Sequence, residues 1–167
     1  MAKLTRSDAR EFLFGLLFET EFKNGENPAE IYDLACLDRD IPADAYIKET
    51  FFGVITRADI IDAVIGKYSK GWKAERLSRV SRTVLRIAIY EMLFVDDIHA
   101  NISISQAVQL AVKFGEDKAK QFVNGVLSGL FKDIDGKDVK EFIAATVAEM
   151  ASGIEETEEV TESKDNA

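Results

Sequence analysis

The chain has 167 residues, of which 47% are hydrophobic and 31% charged, and this size and composition are typical of a globular protein with one domain. One cysteine excludes an intrachain disulfide, and no uncharged apolar run resembles a signal peptide or a membrane span, so we expect a cytoplasmic protein. The net charge of −9 argues against a general nucleic-acid binder, but Lys67–Arg86 has seven basic residues and one acidic residue, whereas residues 155–167 have six acidic and one basic.

The first half of the chain predicts three helices. Residues 5–24 repeat apolar side chains at the i, i+3, i+4 spacing of a helix face. A short helix follows at Pro28–Cys36, with Asn27 as its N-cap. The third helix is predicted over residues 43–66, where Gly53 is either a weak point or a point of close packing.

The second half predicts four helices, at about residues 74–95, 104–114, 117–131 and 137–150. A break in the first of these is predicted near residues 78–81, and Ser103 with Gln106 forms a capping box before the second. No segment alternates with period two. We therefore expect an all-α fold of about seven helices in residues 1–152, arranged as two packed helical-bundle subdomains at about 1–68 and 69–152. Residues 153–167 predict a disordered acidic tail.

Catalytic motifs fail on inspection. Gly66–Gly71 has the spacing of a phosphate-binding loop, but Trp72 stands where the lysine is needed. Residues 133–138 resemble a calcium loop without its closing glutamate. Because His99 and Cys36 are single residues of their types, catalytic triads and metal clusters have little support. We expect no catalytic site, no cofactor and no metal.

Two stretches of the sequence resemble a known family. Residues 72–92 contain a tryptophan, then Arg-Leu four residues on, and then the Leu-Arg-hydrophobic-Ala-x-Tyr-Glu pattern at residues 85–91. Residues 104–127 end in the most specific piece, Phe-Val-Asn-Gly-Val-Leu at residues 122–127. This chain resembles the NusB family of transcription antitermination factors over about residues 5–135.

The resemblance implies a function in binding and not in catalysis. Family members form a seven-helix bundle in two subdomains and bind boxA, a single-stranded RNA element in ribosomal RNA leaders. They do so as a heterodimer with a small-subunit ribosomal protein called NusE. With other Nus factors and RNA polymerase, the complex suppresses termination and supports ribosomal RNA synthesis. We expect the same partners here and no membrane.

The resemblance also implies RNA-binding residues, which are Lys3, Arg6, Arg10, Lys118 and Phe122. Many family members have basic residues where this chain has Ser7 and Asp8, so RNA binding should be weaker. Lysine and arginine would contact phosphate, and Phe122 would stack a base, although burial in the core is an equal alternative for that ring.

Residues expected to contact the protein partner are Phe18, Arg76 and Ser81. Ser81 replaces a usual acidic residue, and Ser105-Gln106 replaces the common Asn-Glu. Either the partner of this chain has surface charges that match these residues, or its contacts with this chain are weaker than those usual in the family.

Several polar residues inside apolar helices need partners, because an unpaired buried polar group costs about 1–3 kcal/mol. Asn124 is predicted to tie two helices together, and Arg86 and Glu91 are each predicted to form a polar bridge between helices. Gly125 and Gly129 would let another helix approach closely. The remaining basic residues of Lys67–Arg82 are interpreted as a solvated surface.

Other functions remain open at this point. The first is a NusB-like protein-interaction module, which would be homodimeric or bind another protein, with weak or lost RNA binding. Ser7, Asp8, Ser81 and the acidic tail motivate it. The second is an enzyme, since NusB-like domains precede catalytic domains in ribosomal RNA methyltransferases, but no glycine-rich cofactor loop is present. The tail is interpreted as solvated, with competition against RNA as the alternative.

Overall fold

The computed structural model describes residues 4–23, 25–38, 44–70 and 72–165, and the side chains through Gly153. Over these residues the chain forms eight α-helices, one 3₁₀ turn and no strand, which confirms the all-α prediction. The helices are α1 (Arg6–Thr20), α2 (Pro28–Asp38), α3 (Ala45–Thr56), α4 (Ala58–Tyr68), α5 (Arg79–Phe94), α6 (Ala100–Phe114), α7 (Ala119–Ile134) and α8 (Val139–Asp165), and the 3₁₀ turn is Ala74–Arg76.

The first two helices begin where side chains satisfy their free backbone N–H groups. The Thr5 hydroxyl oxygen accepts a hydrogen bond of 3.0 Å from the Asp8 N–H. The Asn27 side-chain oxygen accepts one of 2.9 Å from the Ala29 N–H, and Pro28 is the first residue of α2. The prediction of Asn27 as an N-cap is confirmed.

The single helix predicted over residues 43–66 is wrong, because two helices, α3 and α4, meet at Arg57. Arg57 has φ −107° and ψ 19°, outside the helical region. Next to it, the Thr56 hydroxyl donates to the Phe52 carbonyl oxygen at 2.7 Å, a local bond that often bends helices. The Arg57 guanidinium lies 4.6 Å from the centre of the Phe94 ring, a cation–π contact between this junction and α5.

The helix starts of the second half differ partly from prediction. The predicted break near residues 78–81 is confirmed, since Ser78 caps α5 and accepts a 3.1 Å hydrogen bond from the Ser81 N–H. Ser103 is not a cap: α6 begins at Ala100, and Ser103 is buried one turn inside it. Its hydroxyl instead donates to the Glu91 carboxylate on α5.

The last helix is longer than predicted. The α8 backbone continues from Val139 to Asp165, beyond the expected end near Met150. Its first turns pack Phe142 and Ile143 against the core, and α8 lies beside α4. The disorder expected for residues 153–167 stays a prediction.

The core is organised around α5, which contacts α1, α3, α4, α6 and α7. The largest fully buried apolar side chains come from helices in both halves and include Phe51, Leu13, Leu16, Ile47, Ile61, Ile65, Leu85, Ile89, Leu127 and Leu130. These residues belong to one contiguous cluster. The division into subdomains near residue 68 stays a prediction. None of the helices in the described part of the chain is both long and apolar enough to span a bilayer.

Gly53 of α3 packs closely against the Tyr90 ring of α5. A Cβ atom built there would overlap the Tyr90 ring, so the close-packing interpretation is confirmed. We expect Gly53→Ala to lower the free energy of unfolding by about 1–3 kcal/mol, because overpacking forces neighbours from their preferred positions. Urea denaturation followed by circular dichroism would measure this.

Gly66→Ala is the matched control for that substitution. A Cβ at Gly66 in α4 meets no atom within 4 Å, so the alanine should stabilise the helix by up to about 1 kcal/mol. Equal effects of the two substitutions would contradict the packing argument for Gly53.

Candidate functional site

A buried ionic cluster joins four helices around Glu91 of α5, which is 1% exposed. Arg10 of α1 donates two hydrogen bonds to the carboxylate, at 2.9 and 2.8 Å. The Tyr46 hydroxyl of α3 donates at 2.5 Å and the Ser103 hydroxyl of α6 at 2.9 Å. Each oxygen of Glu91 therefore accepts two hydrogen bonds, and the polar bridge between helices predicted for Glu91 is confirmed.

The electrostatics of this cluster follow from its burial and pairing. Burial favours the neutral form of Arg10, but its hydrogen bonds and attraction to Glu91 outweigh that effect and raise the pKa of the guanidinium. Burial and the neighbouring Glu91 carboxylate both raise the pKa of the Tyr46 hydroxyl. Both shifts favour a charged arginine and a neutral tyrosine beside Glu91.

A second ionic network lies nearer the surface. Arg86 of α5 donates two hydrogen bonds of 2.8 Å to Asp62 of α4 and a third of 3.1 Å to Glu21 at the end of α1. Arg82 donates to both oxygens of Glu21, at 2.9 and 2.6 Å. The interhelical bridge predicted for Arg86 is confirmed, and part of the basic segment is neutralised by acidic residues from other helices.

Arg82 also fixes the segment before α5. Its Nη1 atom donates to the carbonyl oxygens of Ala74 and Glu75 in the 3₁₀ turn, at 3.1 and 3.4 Å. The turn is thereby held with Arg76 exposed. Just before it, the side chain of Trp72 is 57% exposed, a large fraction for so apolar a group.

An open groove of about 710 Å³ runs beside this turn, between α1, the start of α5, the end of α6 and the start of α7. It brings together five residues predicted to bind partners: Phe18, Arg76 and Ser81 from the protein set, and Lys118 and Phe122 from the RNA set. Arg76 and Lys118 are exposed, the two aromatic rings are half-buried, and Ser81 is 5% exposed.

The other predicted RNA-binding residues lie elsewhere. Arg6 is exposed, with its guanidinium 4.3 Å from the centre of the Tyr46 ring. It lies about 18 Å along α1 from Phe18, at about 1.5 Å per residue. Arg10 is 3% exposed and donates its hydrogen bonds to Glu91. The prediction that Arg10 contacts RNA directly is therefore corrected: this side chain ties helices together. Lys3 lies outside the described residues.

Two further expectations are corrected on α7. Asn124 is exposed, since Val123, Val126 and Leu127 occupy the buried face, and it does not tie helices together. A Cβ at Gly125 would meet no atom within 4 Å, whereas one at Gly129 would lie 3.1 Å from the Tyr68 ring. Of these two glycines, only Gly129 is closely approached by another helix.

Sequence reasoning missed Trp72, Arg79 and Phe114 as groove residues. Phe114 of α6 stacks on Phe14 of α1 with ring centres 4.7 Å apart, and Phe14 stacks on Phe18 at 5.7 Å. Two helices that are far apart in sequence thus form one row of stacked rings. Only Trp72 had a usable sequence signal, an aromatic residue within a basic run.

The groove can bind flat and anionic groups. Its aromatic rings offer stacking faces, and its charged lining comprises Arg76, Arg79, Lys118 and the single carboxylate of Glu116. The N-terminus of α7, which has no side-chain cap, adds partial positive charge at Lys118. In the described part of the chain, no three His, Cys, Asp or Glu residues are grouped to hold a metal.

Comparison with known proteins identifies the family. Residues 7–132 match the model of the NusB family. The transcription antitermination protein NusB of Bacillus licheniformis is 37% identical over 132 residues, which cover 79% of this chain and all of that protein. The structure of T. maritima NusB matches with a TM-score of 0.70 and 31% identity, covering 84% of this chain and 99% of that one.

A second structural match contains partners. The crystal structure of the antitermination factors NusB and NusE in complex with dsRNA has a TM-score of 0.68 and 29% identity, covering 77% of this chain and 96% of that one. The family model covers well over half of the present sequence. The chain therefore belongs to the NusB family.

Proposed function

We propose that this protein is a transcription antitermination factor that binds boxA RNA as a heterodimer with the ribosomal protein NusE and supports ribosomal RNA transcription. It acts by binding, catalyses no reaction, and works in the cytoplasm with other Nus factors and RNA polymerase. Support comes from its family membership and from a structural match that contains both NusE and RNA.

One observation carries the proposal: the groove combines the residues expected for both partners. Lys118 and Phe122 lie beside Phe18 and Arg76 on one continuous surface, and Ser81, which is 5% exposed, lies at its base. RNA and protein bound there would touch each other as well as this chain. Such an arrangement explains why a heterodimer would bind RNA better than either protein alone.

The test is a titration of the protein into fluorescently labelled boxA RNA, with a scrambled RNA of equal length as control. We expect preferential binding of boxA that weakens as salt rises from 50 to 200 mM, since phosphate contacts release counterions (about one power of salt concentration per contact). Equal binding of the two RNAs would contradict the proposal.

The second candidate is a protein-interaction module with weak or lost RNA binding. Its support lies in the first turns of α1, where Ser7 and Asp8 are exposed and Arg10 is buried. Among the described residues there, Arg6 alone offers an exposed positive charge. This alternative predicts NusE binding without RNA binding, or a homodimer, which light scattering over a concentration series would detect.

A further inference from the structure

We propose that a pocket next to the groove binds one unstacked RNA base between Trp72 and Phe122. The pocket has a volume of about 280 Å³ and lies between the end of α4, the segment before the 3₁₀ turn, and α7. The inference rests on the proposed RNA binding and extends it to a second subsite. Trp72 and Phe122 line both the pocket and the groove, so RNA could pass from one to the other.

Trp72 is exposed yet held in place. The buried Ser69 side chain donates a hydrogen bond to the Trp72 carbonyl oxygen, which fixes the backbone beneath the ring. An exposed aromatic ring on a backbone held in this way can stack a base at a smaller loss of conformational freedom than a ring on an unrestrained backbone. Phe122 is half-buried and also lines the pocket, so we infer that it supplies the second stacking face.

Gly125 leaves room for a base. It is exposed in the middle of α7, where glycine is unfavourable, and a Cβ there would meet no atom of the protein within 4 Å. Packing therefore gives no reason for a glycine at this position, in contrast to Gly129 against Tyr68. The missing side chain widens the pocket next to Phe122.

The charge around the pocket favours RNA over a protein side chain. No acidic residue lines it, and exposed Lys70 lies at its rim with Gln121. Lys70 has φ +55°, the left-handed conformation with which helices commonly end, and it directly follows Ser69, the C-cap of α4. The ammonium can contact phosphate, and the Gln121 amide can pair with the edge of a base.

Trp72 is the only tryptophan in the sequence, so tryptophan fluorescence reports on the pocket and the adjoining groove, and a substitution at Gly125, which lines the pocket but not the groove, separates the two. We would titrate the full-length protein with unlabelled boxA RNA, and in parallel measure affinity by the anisotropy of labelled RNA. Stacking on Trp72 should quench its fluorescence, with the same dissociation constant as the anisotropy. Trp72→Ala should weaken binding on the order of tenfold, and Trp72→Phe should restore most of it.

Gly125→Leu fills the pocket without disturbing the core. It should abolish the quenching and weaken RNA binding on the order of tenfold. Asn124→Leu is the matched control, because it adds the same side chain to an exposed neighbouring position that lines neither the pocket nor the groove. This control should bind RNA as the native protein does.

Three outcomes would overturn the inference. If boxA RNA binds but neither the fluorescence nor the affinity of Gly125→Leu changes, the pocket is not a base site, while the proposed function stands. If Gly125→Leu weakens NusE binding and leaves boxA binding unchanged, the pocket holds the protein partner. If no RNA binds at all, the proposed function fails and the pocket with it.

Discussion

Replacing Glu91 with alanine is expected to lower the free energy of unfolding by about 3–5 kcal/mol, the cost of breaking a buried ion pair from one side. The substitution would leave the Arg10 charge and the hydroxyls of Tyr46 and Ser103 buried without their shared acceptor. In the described part of the chain, every buried side-chain nitrogen and oxygen has a partner, so the loss would be conspicuous. Urea denaturation would measure it.

Glu11→Ala is the control for the Glu91 substitution. It removes a surface ion pair in which Lys113 Nζ lies 2.8 Å from Glu11 Oε1. It should lower the free energy of unfolding by at most about 1 kcal/mol. If Glu91→Ala costs no more than Glu11→Ala, the claim that the buried cluster holds α1, α3, α5 and α6 together is wrong.

Arg76 is predicted from the resemblance to contact the protein partner, but it is exposed in the same groove as Lys118, so RNA phosphates in the groove could reach both cations. Replacing both residues with alanine is expected to weaken boxA binding by about a hundredfold or more. Each exposed cation can form a charged hydrogen bond to phosphate, worth about 1.5–3 kcal/mol, and every 1.4 kcal/mol is a factor of ten. The slope of log affinity against log salt concentration should also become shallower, by an amount that corresponds to about two phosphate contacts. Anisotropy titrations at several salt concentrations would measure both effects.

The double variant Lys73→Ala, Lys120→Ala is the control for this loss. It removes the same charge from exposed positions near the groove that do not line it. If RNA binding depended only on general electrostatic attraction, both double variants would lose the same affinity for boxA. That result would contradict specific phosphate contacts by Arg76 and Lys118.

Apolar spacing in the sequence predicted the helical fold. The interhelical role of Glu91 was predictable because polar residues inside apolar helices must find partners. The family resemblance assigned Arg10 to RNA, although helical spacing places Arg10 on one face with Leu13, Phe14 and Leu17, all buried. An arginine on that face requires a buried acid, and Glu91 is the acid that meets it.

Other features could not be predicted because they depend on how distant segments pack. The Arg57 guanidinium at the break lies against Phe94 of α5, and Ser103 faces Glu91 only because α6 lies beside α5. The groove likewise forms where Phe18 and Phe114, far apart in sequence, come together beside the 3₁₀ turn. By contrast, the exposure of Asn124 was available from periodicity, since it lies off the face of Val123 and Val126.

The most direct test of the central claim is the affinity for boxA RNA measured with and without saturating NusE. If one surface holds both partners, NusE should tighten RNA binding, and RNA should tighten NusE binding by the same factor, because the coupling of two binding equilibria is reciprocal. The groove variant Arg76→Ala, Lys118→Ala should reduce the affinity for RNA with NusE bound. An RNA affinity that is unchanged by NusE would contradict the account.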